Sequence, residues 1–323
     1  HAIPAEVKAD IVARISNAVE QINRYPDREF MALRSKLANY LGAGLSPEQI
    51  WAANGSNEVI QQIFQAFGGP GRKAMGFEPT YSMYSIIAQG TDTEYARAGR
   101  LDRYELTAEF ASAQVKLHKP NIVLLCSPNN PTGTPLSLDV IEAVYAATDG
   151  IVVVDEAYAE FSADGAKSAI SLLPGRPRLL VSRTMSKAFA FAGARVGYLA
   201  ADAAVIDALR LVRLPYHLSA FTQAAAEAAL DHATVMLAAV DEIRQQRDRL
   251  VTELESMGLD PFRSDANFVL FGGLEDPAEV WQKLLDRGVL VRNVGIDGTL
   301  RVTAGTTSET SAFLDALREV IHN

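Results

Sequence analysis

The chain has 323 residues, with 30 Lys and Arg against 39 Asp and Glu, a net charge of −9, 48% hydrophobic and 21% charged residues. That length suits about two domains around a large buried core, and the acidic balance argues against nucleic-acid binding while leaving room for a local basic pocket around a small anion. The single cysteine, Cys126, excludes an intrachain disulfide and any metal site built from cysteine clusters. No apolar run is long enough to span a bilayer and no secretory signal is read, so a cytoplasmic protein is expected, with no membrane partner and no metal. The chain opens on His1 without an initiator Met, so residues upstream of it are expected.

In chain order, short apolar runs predict strands over 74–77, 93–96, 121–126, 151–154, 178–182 and 196–200. Amphipathic stretches at 57–67, 138–147 and 203–211 predict helices between them. This alternation predicts an α/β fold, a mostly parallel sheet covered by helices on both faces. After Asp231 the pattern changes. One long charged helix is predicted over 234–257, stopped at Gly258. There follow a strand at 268–271, a helix at 278–287, strands at 289–292 and 299–303, and a helix at 309–321. The expected division is an N-terminal segment 1–30, a large domain 31–232 and a smaller α+β C-terminal domain 233–323. Ligand sites in such proteins favour strand carboxyl ends and domain interfaces.

Four segments carry polar groups to such places. Thr184-Met185-Ser186-Lys187 follows a predicted strand, with Arg195 eight residues beyond the lysine; read alone it is a reactive lysine or simply a capped helix start with a surface arginine. Asp155 closes the apolar run Val152-Val153-Val154 and precedes Glu156-Ala157-Tyr158. A carboxylate there needs a partner, since an unpaired buried charge is costly; a pyridinium nitrogen would serve, and so would the backbone of a helix that Asp155 caps. Ser127-Pro128-Asn129-Asn130-Pro131-Thr132-Gly133 also follows a buried strand and reads as a cleft-lining loop or an ordinary turn. Asn54-Gly55-Ser56-Asn57-Glu58 precedes a helix, whose free amides suit phosphate binding unless Ser56 or Asn57 merely caps it.

Taken together and in this order, Asn130-Pro131-Thr132-Gly133, Asp155-Glu156-Ala157-Tyr158 and Ser186-Lys187 with Arg195 resemble the fold-type I pyridoxal-phosphate-dependent aminotransferases. The resemblance runs from about Tyr25 to the C-terminus. Within that group the sequence looks most like the histidinol-phosphate aminotransferases, through 23–27, 51–58, 186–198, 214–219 and 300–305.

The resemblance implies pyridoxal 5'-phosphate as cofactor, held by Lys187 as a Schiff base. Lys187 would also serve as base and acid of the proton shift. Asp155 would pair with the ring nitrogen, Asn130 and Tyr158 would bond the ring's phenolate oxygen, and Tyr81 would stack on its face. Thr184, Ser186 and Arg195 would hold the phosphate with the Gly55-Ser56-Asn57 backbone. Tyr25 matches a tyrosine that reaches the partner subunit's site, which implies a homodimer. Arg301 and Arg292, with Asn130 and Tyr25, would bind substrate, Arg301 serving both the glutamate carboxylate and a substrate phosphate. The implied reaction moves an amino group between L-histidinol phosphate and 2-oxoglutarate in histidine biosynthesis. An aromatic amino acid aminotransferase of the same fold stays open, as does a decarboxylase or carbon–sulfur lyase on the same cofactor. A non-catalytic nucleotide-binding protein is opposed by the lack of a Gly-x-Gly-x-x-Gly or Walker motif. Two departures from the family stand out: about thirty N-terminal residues are missing, and Thr307-Ser308-Glu309-Thr310 replaces a more acidic stretch, read here as a change of helix cap.

Overall fold

The computed structural model of the protein describes residues 2–322; His1 and Asn323, which open and close the expected domain ranges, lie outside them. The first part of the chain runs α1 (Ala5–Val19), α2 (Met31–Leu41), β1 (Ile50–Ala53), α3 (Ser56–Phe67), β2 (Lys73–Phe77), α4 (Met83–Gly90), β3 (Glu94–Ala98), α5 (Ala108–His118), β4 (Ile122–Cys126), α6 (Leu138–Ala147), β5 (Ile151–Asp155), β6 (Leu179–Thr184), β7 (Gly197–Ala200), α7 (Ala203–Val212) and α8 (Ala220–Asp231). Then come α9 (Ala233–Leu237), α10 (Ala239–Ser256), β8 (Asp260–Pro261), β9 (Phe268–Gly272), α11 (Pro277–Asp286), β10 (Leu300–Thr303) and α12 (Thr307–His322).

Seven strands form one sheet in the order β1-β7-β6-β5-β4-β2-β3. The pairs from β6 to β3 are parallel; β7 runs antiparallel to both its neighbours. The central strands β4 and β5 are buried along their whole length, which is why they read as unbroken apolar runs rather than alternating ones. With β7 reversed, the carboxyl ends of β1, β2, β4, β5 and β6 and the amino end of β7 share one edge of the sheet. Crossovers in an open α/β sheet leave their ligand crevice at that edge.

A second, three-stranded antiparallel sheet, β10-β9-β8, carries α10, α11 and α12. Its apolar cluster holds Val240 through Val320 together with Tyr158, Phe161 and Ala188, and is separate from the larger cluster of the seven-stranded sheet. Val7 and Ile11 of α1 join the larger cluster by packing on α8. Among the described residues no helix is long and apolar enough to cross a membrane.

Two sequence expectations need correction. The helix expected over 234–257 is interrupted at Ala238, whose amide bonds back to the carbonyl of Val235. That three-residue reach is the tighter 3₁₀ bond, so the ladder is broken between α9 and α10. The stop at Gly258, with φ +77°, is as expected. The strand expected at 289–292 is a single bridge, Arg292 to Arg301. After Arg292 the chain leaves the sheet through a loop in which Gly295 and Gly298 take positive φ, so no further pair forms. At the start of α12, the Glu309 carboxylate accepts from the Thr306 amide at 2.8 Å and from its hydroxyl at 2.9 Å, and the Glu309 amide donates back to the Thr306 hydroxyl at 3.4 Å, a capping box; the substituted stretch starts the helix as a cap.

Candidate active site

Each segment singled out in the sequence ends at the same edge of the large sheet. A cavity of about 480 Å³ opens there, walled on the far side by the small sheet's Arg292 and Arg301.

Asp155 is the last residue of β5 and is almost fully buried. No helix follows for it to cap: the next element is a short 3₁₀ turn at Ala159–Phe161, preceded by Tyr158. One carboxylate oxygen, Oδ2, accepts a 2.7 Å hydrogen bond from the Tyr84 hydroxyl. The other, Oδ1, has no partner. Burial pushes the Asp155 carboxyl up to about 6, opposed by the Tyr84 bond and the Ala157 amide. The adjacent Glu156 turns the other way, into a buried 2.9 Å ion pair with Arg183 and bonds from Ser168 and the Ala169 amide. Of the two neighbouring carboxylates, one is therefore fully satisfied and structural, and the other keeps an oxygen free.

The loop joining β6 to β7 is pinched at its base, where the Met185 amide bonds to the Val196 carbonyl at 2.9 Å. It carries Lys187 into the cavity and returns through Arg195, whose φ of +54° is left-handed. Lys187 Nζ stands 5.7 Å from the Tyr158 ring centroid. Burial first, then Arg301 and Arg195, lower its pKa, which favours the unprotonated amine a nucleophile needs. Thr184 Oγ1 and Ser186 Oγ lie 3.0 Å apart at the start of the loop.

Helix α3 begins with Gly55 as its N-cap, and no side chain caps it; neither Ser56 nor Asn57 plays that part. The Glu58 and Val59 amides turn back to the Gly55 carbonyl, leaving those of Ser56 and Asn57 among the unpaired donors of the first turn. Gly55 has φ +85°, and a Cβ there would come 2.4 Å from Arg195 Nη2. A Cβ at Gly197 would come 2.1 Å from the Ser56 nitrogen. Both glycines let the helix end, β7 and the Arg195 guanidinium meet closely, which makes a pocket for a small anion.

Tyr81 is half-buried and its hydroxyl donates to Asn57 Oδ1 at 3.1 Å. In the loop after β4 the two asparagines divide the work. Asn129 is fully buried, donating to the Pro79 carbonyl at 3.0 Å and to Thr132 at 2.7 Å. Asn130 faces the cavity and accepts from Arg301 Nη1. Arg301 also lies 4.6 Å over the Phe268 ring, its Nε without a partner. The charged lining is Lys187, Arg195, Arg292 and Arg301 against Asp155 alone, an anion-seeking site inside an acidic protein.

Of the residues chosen from sequence, all but two line this cavity. Gly55 stands just behind it, against Arg195. Tyr25 lies outside: it is 80% exposed and stacks on Tyr216 at 4.5 Å. Sequence reasoning missed Tyr84, which sits inside an amphipathic helix where nothing but the fold connects it to Asp155, and it missed Thr80, Asn293 and Val294 in the lining.

This arrangement fits a pyridine ring with a phosphate arm. The orphaned Asp155 oxygen suits a protonated ring nitrogen, the Gly55–Arg195 cradle suits a phosphate, and Lys187 lines the same cavity.

A family model described as aminotransferase class I and II matches residues 1–317. The chain is similar to the histidinol-phosphate aminotransferase of Paenarthrobacter aurescens (strain TC1), at 64% identity over 99% of this chain and 87% of that one. It is similar to the enzyme of the same name from Thermobifida fusca (strain YX), at 55% identity over 97% and 87%. Among solved structures it resembles histidinol-phosphate aminotransferase from Sinorhizobium meliloti in complex with pyridoxal-5'-phosphate, with TM-score 0.89 and 26% identity over 99% of this chain and 88% of that one. A mutant aspartate aminotransferase from Thermus thermophilus also superposes, with TM-score 0.84 and 25% identity over 99% and 93%.

Proposed function

The chain belongs to the class I and II aminotransferase family, and from that premise we propose that it moves an amino group between L-histidinol phosphate and 2-oxoglutarate, as a step in histidine biosynthesis. It is a pyridoxal-phosphate-dependent transaminase of fold type I. The observation that carries the substrate assignment is the position of Arg292 and Arg301, two neighbouring cations facing the same cavity as Lys187. The names of the relatives described above support the same reading.

Bound in this cavity, pyridoxal phosphate supplies an electron sink for the proton shift at the amino-bearing carbon. The chain's own residues do the rest. Lys187 would hold the cofactor covalently through Nζ and, once the substrate's own amine displaces it from the cofactor, its freed amine would take and return the migrating proton. Asp155 Oδ1 accepts from the ring nitrogen and keeps it protonated. Asn130 and Tyr158 bond the ring's phenolic oxygen, and Tyr81 covers a ring face, its hydroxyl tethered to Asn57. Thr184, Ser186 and Arg195 grip the phosphate with the Ser56 and Asn57 amides, at the distance Gly55 permits. Arg301 binds the glutamate carboxylate in one half-reaction and the histidinol phosphate group in the other, with Arg292 adding a second contact to the phosphate.

Tyr25 serves the partner's site in a homodimer; its exposed ring on the protein surface supports this reading. The expected division is an N-terminal segment 1–30, a cofactor-binding large domain 31–232 and a small domain 233–323; the two separate apolar clusters support the large and small units, with the change falling between Met236, in the larger cluster, and Val240, in the smaller. The enzyme works in the cytoplasm.

The test is a screen of single half-reactions. The purified, cofactor-loaded protein is mixed with histidinol phosphate, histidinol, phenylalanine or tyrosine, and loss of the cofactor's visible absorbance is followed. Histidinol phosphate should react far faster than histidinol. Equal rates for those two, or faster reaction with phenylalanine or tyrosine, would overturn the substrate assignment while leaving transaminase chemistry intact.

A further inference from the structure

Asp155 is held from behind by a residue that does not face the cavity. Tyr81 and Tyr84 are three apart on the turn entering α4, a spacing that sets side chains on neighbouring faces of a helix. Their rings meet edge to face with centroids 5.5 Å apart. Tyr81 lines the cavity, while Tyr84 is fully buried beneath it. A buried phenol needs a hydrogen-bond partner, and the Tyr84 hydroxyl finds one in Asp155 Oδ2 at 2.7 Å.

The groups facing the Asp155 carboxyl are few. Tyr84 comes from α4, Tyr81 from the loop before it, Cys126 from the end of β4, and Glu156 and Tyr158 from the segment after β5. None is a cation. Glu156 is committed to Arg183, and the Cys126 sulfur points to the Pro128 carbonyl at 3.5 Å. Among the described residues Tyr84 is the one side chain that donates to Asp155.

We propose that Tyr84 is a positioning residue for Asp155: by occupying Oδ2 it fixes the carboxylate plane and leaves Oδ1 as the oxygen presented to the cofactor ring nitrogen. A carboxylate turns readily about its terminal torsion, so without that bond either oxygen could face the cavity and the buried charge would lose its strongest side-chain support. The inference rests on the reading of Asp155 as the ring-nitrogen acceptor, and adds a residue whose own atoms never touch cofactor or substrate.

The test is Tyr84→Phe, which keeps the ring and its packing and removes only the hydroxyl. Two measurements are made on the full chain. In the cofactor-free protein, the Asp155 carboxyl is titrated by isotope-edited infrared spectroscopy, with Asp155→Asn identifying its band. A donor to the charged form holds a pKa down, so the variant should titrate higher than wild type by at least about half a pH unit. The apparent dissociation constant for pyridoxal phosphate should rise about tenfold, and that rise should vanish when Tyr84→Phe is made in the Asp155→Asn background. A purely structural role predicts weaker cofactor binding in both backgrounds and an unmoved carboxyl titration; either result overturns the proposal. If Tyr84→Phe does not fold, replacing Tyr84 by 3-fluorotyrosine, a stronger donor of nearly the same shape, should lower the Asp155 titration, and an unmoved titration again overturns it. Should the wild-type protein take up no pyridoxal phosphate, the proposed function fails, while the titration in the free protein still decides the role of Tyr84.

Discussion

Arg292 and Arg301 exchange backbone hydrogen bonds at 2.9 and 2.8 Å across one antiparallel bridge, so both guanidinium groups emerge from the same point of the small sheet. Arg301 is partly buried, and burial, with a smaller contribution from Arg292, lowers its pKa, the mark of a cation drawn out of water. An anion relieves that. Charge-assisted hydrogen bonds are worth about 1.5–3 kcal/mol each, so losing one partner of a bound dianion should cost about 10- to 100-fold in kcat/KM. Arg292→Ala should therefore slow reaction with histidinol phosphate more than with glutamate, and Arg301→Ala should slow both. Steady-state kinetics of the two variants with each donor decides it; near-neutral effects throughout would reduce both residues to solvated surface charges. At this scale the sequence was most informative where a residue type is chemically rare in its setting. Lys187, Asp155 and Arg195 are such residues, and all three face one cavity. Tyr84 was not legible, because a tyrosine in an amphipathic helix is ordinarily core, and its contact with Asp155 spans 71 positions of sequence.

At the scale of elements, legibility followed apolar contrast. β4, β5 and α6 lie where periodicity puts them, within one residue at each end, because Ile122–Cys126 and Ile151–Asp155 are apolar almost throughout and are bounded by turn residues. β1 was not recognised: four residues, two of them alanine, give little signal, although Ile50 and Trp51 are fully buried. Helix α8 was passed over for a related reason. It buries Ala225, Ala226, Ala228 and Ala229 against α1 and α2, and small side chains leave little amphipathic pattern even where packing is close. The single bridge at Arg292 shows the opposite error, an apolar run read as a strand although only its last residue pairs. The long-helix error at Ala238 has no local signal, since Ala-Ala-Val is good helix sequence; there the fold overrides propensity.

The site belongs to the whole molecule rather than to either sheet. The large sheet's edge supplies the Lys187, Asp155 and Arg195 side chains. The small unit supplies Arg301, which reaches across to Asn130, and the two parts are bound again through the Gly133 carbonyl, which accepts from the Asp265 amide at 2.9 Å, and the Arg103–Asp260 pair. The proposed homodimer adds a third contributor in Tyr25. Protomers carrying Tyr25→Ala and Lys187→Ala, each inactive alone, should regain up to about half of wild-type activity when exchanged into mixed dimers, since one composite site then holds both defects and the other neither. Verified mixed dimers without recovery would mean that Tyr25 does not act across subunits.

Everything in this account depends on Lys187 as the residue that carries the cofactor. Borohydride reduction of the cofactor-loaded protein, followed by proteolysis and mass mapping of the pyridoxyl group, tests that most directly. The modified peptide should be the one containing Ser186-Lys187, and Lys187→Ala should give no stable label. A pyridoxyl group on any other lysine of the wild-type protein would contradict the account.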